Sequence, residues 1–147
     1  MAVPANEAAV RRQIELLDAG DAPGSAACFA EHGRNHGMEV SRDQIEVVLR
    51  SLIAATPDAK TEILGMISDG DVVSCRTRTT GTHLGTPELP FVCGGVFAAG
   101  PPTGAAIELT AIHWYRMQAG QIVEHFANRH DLGVARQLGL VSGIPSR

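Results

Sequence analysis

The spacing of hydrophobic residues changes character near Lys60, and that change restricts the chain more than any other feature. Before it, apolar side chains recur at helical spacing: Val10, Ile14 and Leu17 in one segment, then Ile45, Val48, Leu49, Leu52 and Ile53 in another. Beyond it the repeat shortens toward two, and Thr61–Ser68, Val72–Thr80, Ile107–Met117 and Gln121–Ala127 read as strands. Helices grouped first and antiparallel strands grouped after make an α+β chain, with the helices on one side of a sheet. A sheet that curls over helices leaves a cavity at its open end, a natural place for a ligand.

Local signals divide the segments further. The first helix is expected to be capped by Asn6 and closed by Gly20. A short helix of small residues follows over Pro23–Ala30, with Phe29 its one large apolar side chain. Gly33 and Gly37 break any helix across Glu31–Met38, which reads as a loop or short strand. Ser41 and Gln44 form a capping box that starts a third helix, ended by Pro57. Asp69-Gly70-Asp71 and Ala119-Gly120 are tight turns between paired strands. The Gly- and Pro-rich stretch Leu84–Gly104 offers Phe91, Val92, Val96 and Phe97 as edge-strand or flap residues, and a last helix runs over Asp131–Leu138 to Gly139.

A length of 147 residues suits one domain, spanning 1–147, with one core. The net charge is −4 and no basic run occurs, which argues against a nucleic-acid partner and for a neutral or apolar small molecule. No apolar stretch is long enough to cross a bilayer, and Met1–Asn6 lacks the cationic start of a signal peptide, so the expected setting is the cytoplasm. Cys28, Cys75 and Cys93 are odd in number and widely spaced, which favours neither a disulfide framework nor a zinc site. His32 and His36 are four apart, but Gly33 and Gly37 argue against the helix two zinc ligands would need, and no metal is expected.

Several short motifs fall into one order: Asn35-His36, Pro57-Asp58, Asp69-Gly70-Asp71, Gly81-Thr82-His83-Leu84-Gly85, Pro102-Thr103-Gly104 and His113-x-x-Arg116. They are followed by Gly120-Gln121-Ile122-Val123-Glu124-His125-Phe126 and a helix finishing Gln137-Leu138-Gly139. In this order and spacing, over residues 5 to 140, the chain resembles the SnoaL-like polyketide cyclase family. The resemblance implies the NTF2-like cone, no metal and no organic cofactor, and an intramolecular aldol closure of a polyketide ring. It implies an aspartate base assisted by a histidine. The histidine matches His113. The aspartate's position is occupied by Ala127, whose methyl group cannot accept a proton.

His113 shares a strand face with Leu109, Ala111, Tyr115 and Met117, so it is either a pocket residue facing a ligand or a core histidine satisfied by the backbone. A three-residue, bulged Ala119-Gly120 loop would bring His125 and Ala127 onto that face; a two-residue loop would turn them away. Asp131 is the nearest carboxylate to replace the missing one, as a base at the cavity mouth or as a helix cap. Glu124 reads as a surface ion-pair partner of Arg116. The resemblance places Asn35 and His36 near the substrate. His83 is read as a weaker substrate contact or a turn stabiliser. Asn128, with His130, stands at the pocket rim or covers the last helix.

The leading expectation is a cofactor-independent enzyme of polyketide-type secondary metabolism, such as antibiotic biosynthesis. It would perform acid/base chemistry, a cyclisation, rearrangement or hydroxylation, on a bulky apolar or aromatic substrate. His113 and Asp131 would be catalytic, with Asn35, His36, His83, Tyr115, His125 and Asn128 binding substrate. The alternative is a non-catalytic binding or assembly domain, motivated by Ala127. A third option, epoxide opening by water held between carboxylates, would draw on Arg116, Glu124 and Asp131. Ile112, Trp114 and Phe126 fall on the outer sheet face and suggest a homodimer.

Overall fold

The computed structural model describes residues 3–87 and 95–142. Phe91, Val92 and Cys93 lie outside them. In chain order the elements are α1 (Val3–Asp18), α2 (Ala22–Ala26), β1 (Phe29–Asn35), β2 (Met38–Ser41), α3 (Arg42–Ala55), β3 (Lys60–Asp69) and β4 (Val72–Thr82). A 3-10 turn at Gly95–Ala98 precedes β5 (Ala106–Gln118), β6 (Gln121–Arg129) and α4 (Asp131–Gln137). The strands form one sheet in the order β2-β1-β6-β5-β4-β3, curved and unclosed, with β1–β6 parallel and the other pairings antiparallel. Helices inside a bent, mostly antiparallel sheet make the α+β cone anticipated from the change of period.

The amphipathic helices cover the concave face. Val10 and Ile14 of α1 and Ile45 and Leu49 of α3 are buried in one cluster with Val73, Cys75, Tyr115, Met117 and Ile122 of the sheet. Each such aliphatic side chain stabilises the fold by roughly 1.5–3 kcal/mol on burial. A second cluster, Ala55, Phe97, Ile107, Val134 and Leu138, ties α4 and the 3-10 turn to the other end of β5. Between the two clusters the concave face is not filled, and this is where the cavity lies.

Two local expectations hold and two are corrected. The Ser41–Gln44 capping box is present, Gln44 N–H donating to Ser41 Oγ at 3.2 Å and Ser41 N–H to Gln44 Oε1 at 2.8 Å. The Asp69–Asp71 turn joins β3 to β4 as expected. Asn6, however, is not a cap: α1 already starts at Val3, with Pro4 in its first turn, where a missing N–H costs nothing. Asn6 is instead buried, its Nδ2 donating to the Gly70 carbonyl at 3.3 Å. Helix α2 stops at Ala26, because the Phe29 segment is drawn into the sheet. There the Ile122 N–H donates to Cys28 O, and Arg42 Nε to Phe29 O, each at 2.9 Å.

Candidate functional site

A bulge in β6 decides which side chains enter the cavity. The turn joining β5 to β6 is two residues long, with Gln118 opposite Gln121 and positive φ at Ala119 (47°) and Gly120 (77°), the geometry of a type I′ hairpin. Continued without interruption, that register would set Phe126 beside His113 and turn His125 outward. It shifts between Met117–Ile122 and Arg116–Glu124, leaving Val123 as the extra residue. Beyond the shift Tyr115 faces His125, and His113 faces Ala127. The expected grouping of His113, His125 and Ala127 is therefore right. Its expected cause, a three-residue loop, is replaced by a two-residue turn and a bulge. Gly33 of β1 lies against the bulge: a Cβ there would meet the Val123 carbonyl oxygen at 2.5 Å.

The parallel pairing of β1 with β6 brings in a residue far away in sequence. Asn35 lies beside His125 in the register, and its Oδ1 is 2.9 Å from His125 Nδ1. On the other side of the ring, His125 Nε2 is 3.0 Å from His113 Nδ1. His113 stacks on Tyr115, with ring centroids 5.9 Å apart and planes at 14°. His36 meets the edge of the His125 ring, centroids 5.7 Å apart. It occupies the first position of a type I′ turn with Gly37, at φ 51°, a conformation rare for a residue with a side chain. Asn35, His36, His125, His113 and Tyr115 thus form one cluster in the cavity wall.

The cavity has a volume of about 400 Å³, within the range of small-molecule sites. Its remaining wall is largely apolar, with Ile14, Leu17, Phe29, Leu49, Leu52 and Leu109 among its members. Elsewhere in the lining, Asp18 accepts from Thr61 N–H at 2.6 Å and from Thr61 Oγ1 at 2.9 Å. Also in the lining, Arg129 Nε and Nη2 donate to Asp131 Oδ1 at 3.2 and 2.9 Å. The Arg129 guanidinium also lies over the Phe97 ring, 6.0 Å from its centroid.

Removal from water sets the charge of the cluster. Burial pushes the His113 imidazole down to about 4, aided by the positive charges of Arg129 and His36. His125 is pushed well below its ordinary value by burial, then by His113 and His36. His36 is lowered by burial and by Arg129. Tyr115 is raised well above its ordinary value, chiefly by burial. Near neutral pH the imidazoles of His113 and His125 are therefore uncharged and Tyr115 keeps its proton. A neutral imidazole can accept a proton; a buried, protonated phenol is a poor base and serves as packing surface.

Of the residues singled out from sequence, Asn35, His36, His113, Tyr115, His125, Asn128 and Asp131 all line the cavity. Asp131 does not cap α4: His130 holds the cap position with no side-chain bond, and Asp131 is engaged by Arg129. His83 is buried outside the cavity lining, its Nδ1 accepting from Thr103 N–H at 3.2 Å, which clamps the returning segment. Arg116 and Glu124 pair on the outer face, Nε to Oε2 at 3.4 Å, so they supply nothing to the cavity. Arg129 is a cavity residue absent from the sequence-based candidates, as is Asp18. Period-2 alternation from His125 through Ala127 to Arg129 is the signal that points to Arg129. Among the described residues no cluster of metal-ligating side chains is found.

The sequence profile of the SnoaL-like polyketide cyclase family matches residues 7–138. No curated protein matches the chain. Among solved structures, the chain superposes on AclR, a proposed hydroxylase from Streptomyces galilaeus, with TM-score 0.79, 20% identity, and coverage of 98% of this chain and 87% of AclR. It superposes on TsrD from Streptomyces laurentii with TM-score 0.80 and 17% identity, covering 96% and 99% of the two chains. With IdmH, a proposed polyketide cyclase from Streptomyces antibioticus, the TM-score is 0.72 at 23% identity, covering 91% and 98%. At these identities the likeness establishes the fold.

Proposed function

The chain belongs to the SnoaL-like polyketide cyclase family, and from that premise we propose that it is a cofactor-independent acid/base enzyme in which His113 takes the role of proton acceptor. Its substrate is a bulky apolar or aromatic carbonyl compound of polyketide type, and its reaction a cyclisation or a related rearrangement. The observation that carries this reading is the His113 imidazole, hydrogen-bonded to His125 and set in the wall of a mostly apolar cavity, where burial holds the ring uncharged.

The chemistry balances without an outside reactant. His113 accepts a proton from a carbon next to a carbonyl, and the resulting enolate attacks a second carbonyl of the same molecule. A carbon–carbon bond forms, the attacked C=O becomes an alkoxide, and the imidazolium returns the proton to that oxygen. Arg129, next along the inner face of β6 beyond Ala127, places positive charge where it favours the enolate. The apolar wall keeps water from quenching it. The whole chain acts as one such domain, in a cytoplasmic setting, and pairs with a second copy through the exposed outer face.

A second reading, a binding domain without catalysis, is favoured by one observation: Ala127 stands opposite His113, where the family resemblance implies a carboxylate. The two readings separate in the ring opening of 5-nitrobenzisoxazole, an aromatic carbon acid that needs only a base. His113→Ala is expected to lower the rate by about 10²-fold or more, the usual contribution of a positioned general base. Equal rates for the parent protein and the variant would defeat the catalytic assignment and leave the binding reading.

A further inference from the structure

We infer that Asn35 and His125 act as positioning residues that fix the tautomer of His113, presenting its Nε2 to the cavity as a bare hydrogen-bond acceptor. The site therefore selects a ligand carrying a donor at that point: an enol or phenol O–H, or an acidic C–H. The inference deepens the reading of His113 as proton acceptor and rests on it only for the C–H case.

Each proton along the relay is dictated by the partner before it. An amide oxygen has lone pairs and no hydrogen, so the 2.9 Å contact between Asn35 Oδ1 and His125 Nδ1 requires the proton on Nδ1. A neutral imidazole carries one N–H, which makes His125 Nε2 an acceptor. The 3.0 Å contact from that atom to His113 Nδ1 then requires the proton on His113 Nδ1. The remaining nitrogen of His113, Nε2, is left with a lone pair and bonds to none of the described residues. β5 is flanked on both sides by β4 and β6, and the ring is on the inner face, so its accessible part belongs to the cavity wall.

The positioning is built by backbone pairing as well as by side chains. Asn35 is held beside His125 by the parallel β1–β6 register, and the next residue's N–H, that of His36, donates to the His125 carbonyl at 2.9 Å. A substrate carbonyl oxygen facing Nε2 would meet one lone pair with another. A hydroxyl or an activated C–H meets a lone pair with a proton. The carbonyl group that a cyclisation substrate also carries must then lie farther along, toward Arg129.

The test is spectroscopic and needs no substrate. Long-range ¹H–¹⁵N correlation spectra of the uniformly ¹⁵N-labelled full chain near neutral pH show which ring nitrogen of each histidine holds the proton. The expected result is protonated Nδ1 and bare Nε2 for both His125 and His113; a proton on His113 Nε2, the outcome if Asn35 donated through its amide nitrogen, overturns the inference. Asn35→Leu, which removes the acceptor at His125 Nδ1, should shift His113 toward Nε2–H. No change in Asn35→Leu would remove Asn35 from the relay.

Ligand choice is read with two probes. 2-Naphthol should bind roughly 5- to 10-fold more tightly than 2-methoxynaphthalene, the ratio expected from one added hydrogen bond. Equal binding would overturn the acceptor assignment. If the spectra are as expected while His113→Ala still opens 5-nitrobenzisoxazole at the parent rate, the catalytic reading fails and the tautomer relay stands. A proton on Nε2 together with a His113-dependent rate would overturn the relay and leave the catalytic reading in place.

Discussion

Acid should destabilise this protein, with His113 carrying a measurable share of the loss alongside His125, whose ring burial also holds well below its ordinary value. The His113 ring's ordinary value of 6.5 is pushed down to about 4 in the fold, chiefly by burial. The unfolded chain thus takes up a proton between those values that the folded chain refuses. Stability is fully present above about pH 6.5 and is lost as the pH falls toward 4. At about 1.4 kcal/mol for each tenfold change in proton affinity, with some screening by water in the cavity, the loss is ~2–3 kcal/mol. That is a large share of the roughly 5–15 kcal/mol typical of a folded domain. The assay is urea unfolding of the parent and of His113→Phe across the same pH window. Over it the parent midpoint should fall by about 1–2 M more than that of the variant. Carboxylates that lose their partners in acid do so in both proteins and cancel in the difference. Parallel midpoint curves would show that the ring is not held neutral by the fold.

Three further outcomes are expected. Gly85→Ala should cost about 1–3 kcal/mol in chemical unfolding, because the new Cβ would lie 2.0 Å from the Ala54 carbonyl oxygen, a backbone atom that cannot swing aside; an unchanged midpoint would refute that contact. Ala127→Asp should raise the His113 titration well above its present value of about 4, as read by NMR, since the carboxylate would face the ring across β5 and β6. An unmoved titration would deny the register beyond the Val123 bulge. On the outer face Ile67 and Ile112 are 74% and 57% exposed beside Trp114 and Phe126, so Ile112→Lys should convert a dimer to a monomer in analytical ultracentrifugation. A parent protein that already sediments as a monomer would dispose of that interface.

What can be read from the sequence is whatever depends on neighbours along the chain. The capping box at Ser41 and Gln44 needs only a spacing of three, and the inward face of His113 needs only alternation with Leu109, Ala111 and Tyr115. Both are legible. The relay is not, because Asn35 and His125 meet through a parallel pairing across 90 residues, and no local pattern encodes which strand will lie beside β1. The bulge at Val123 is half legible: the function requires a change of face, but nothing in the hairpin sequence says where the extra residue falls. Ala26, Ala27 and Ala30 favour a helix running through Phe29. Burial of Phe29 in the sheet core prevails over that local preference. Asp131 has the local signature of a cap, but Arg129, two residues earlier and on the cavity face, claims its carboxylate.

On the proposed function, the carboxylate that the family resemblance implies at position 127 and the neutral histidine are two sides of one arrangement. An aspartate at position 127 would face His113 directly and would favour the imidazolium. The ring would then serve as a donor and the aspartate as the base. With a methyl group there, burial disfavours the imidazolium and the positive charge of Arg129 adds to it. The proton therefore leaves the ring, and the lone pair that the carboxylate would have supplied appears on the histidine instead. Ala127 on this view moves the base by one cross-strand neighbour, from β6 to β5.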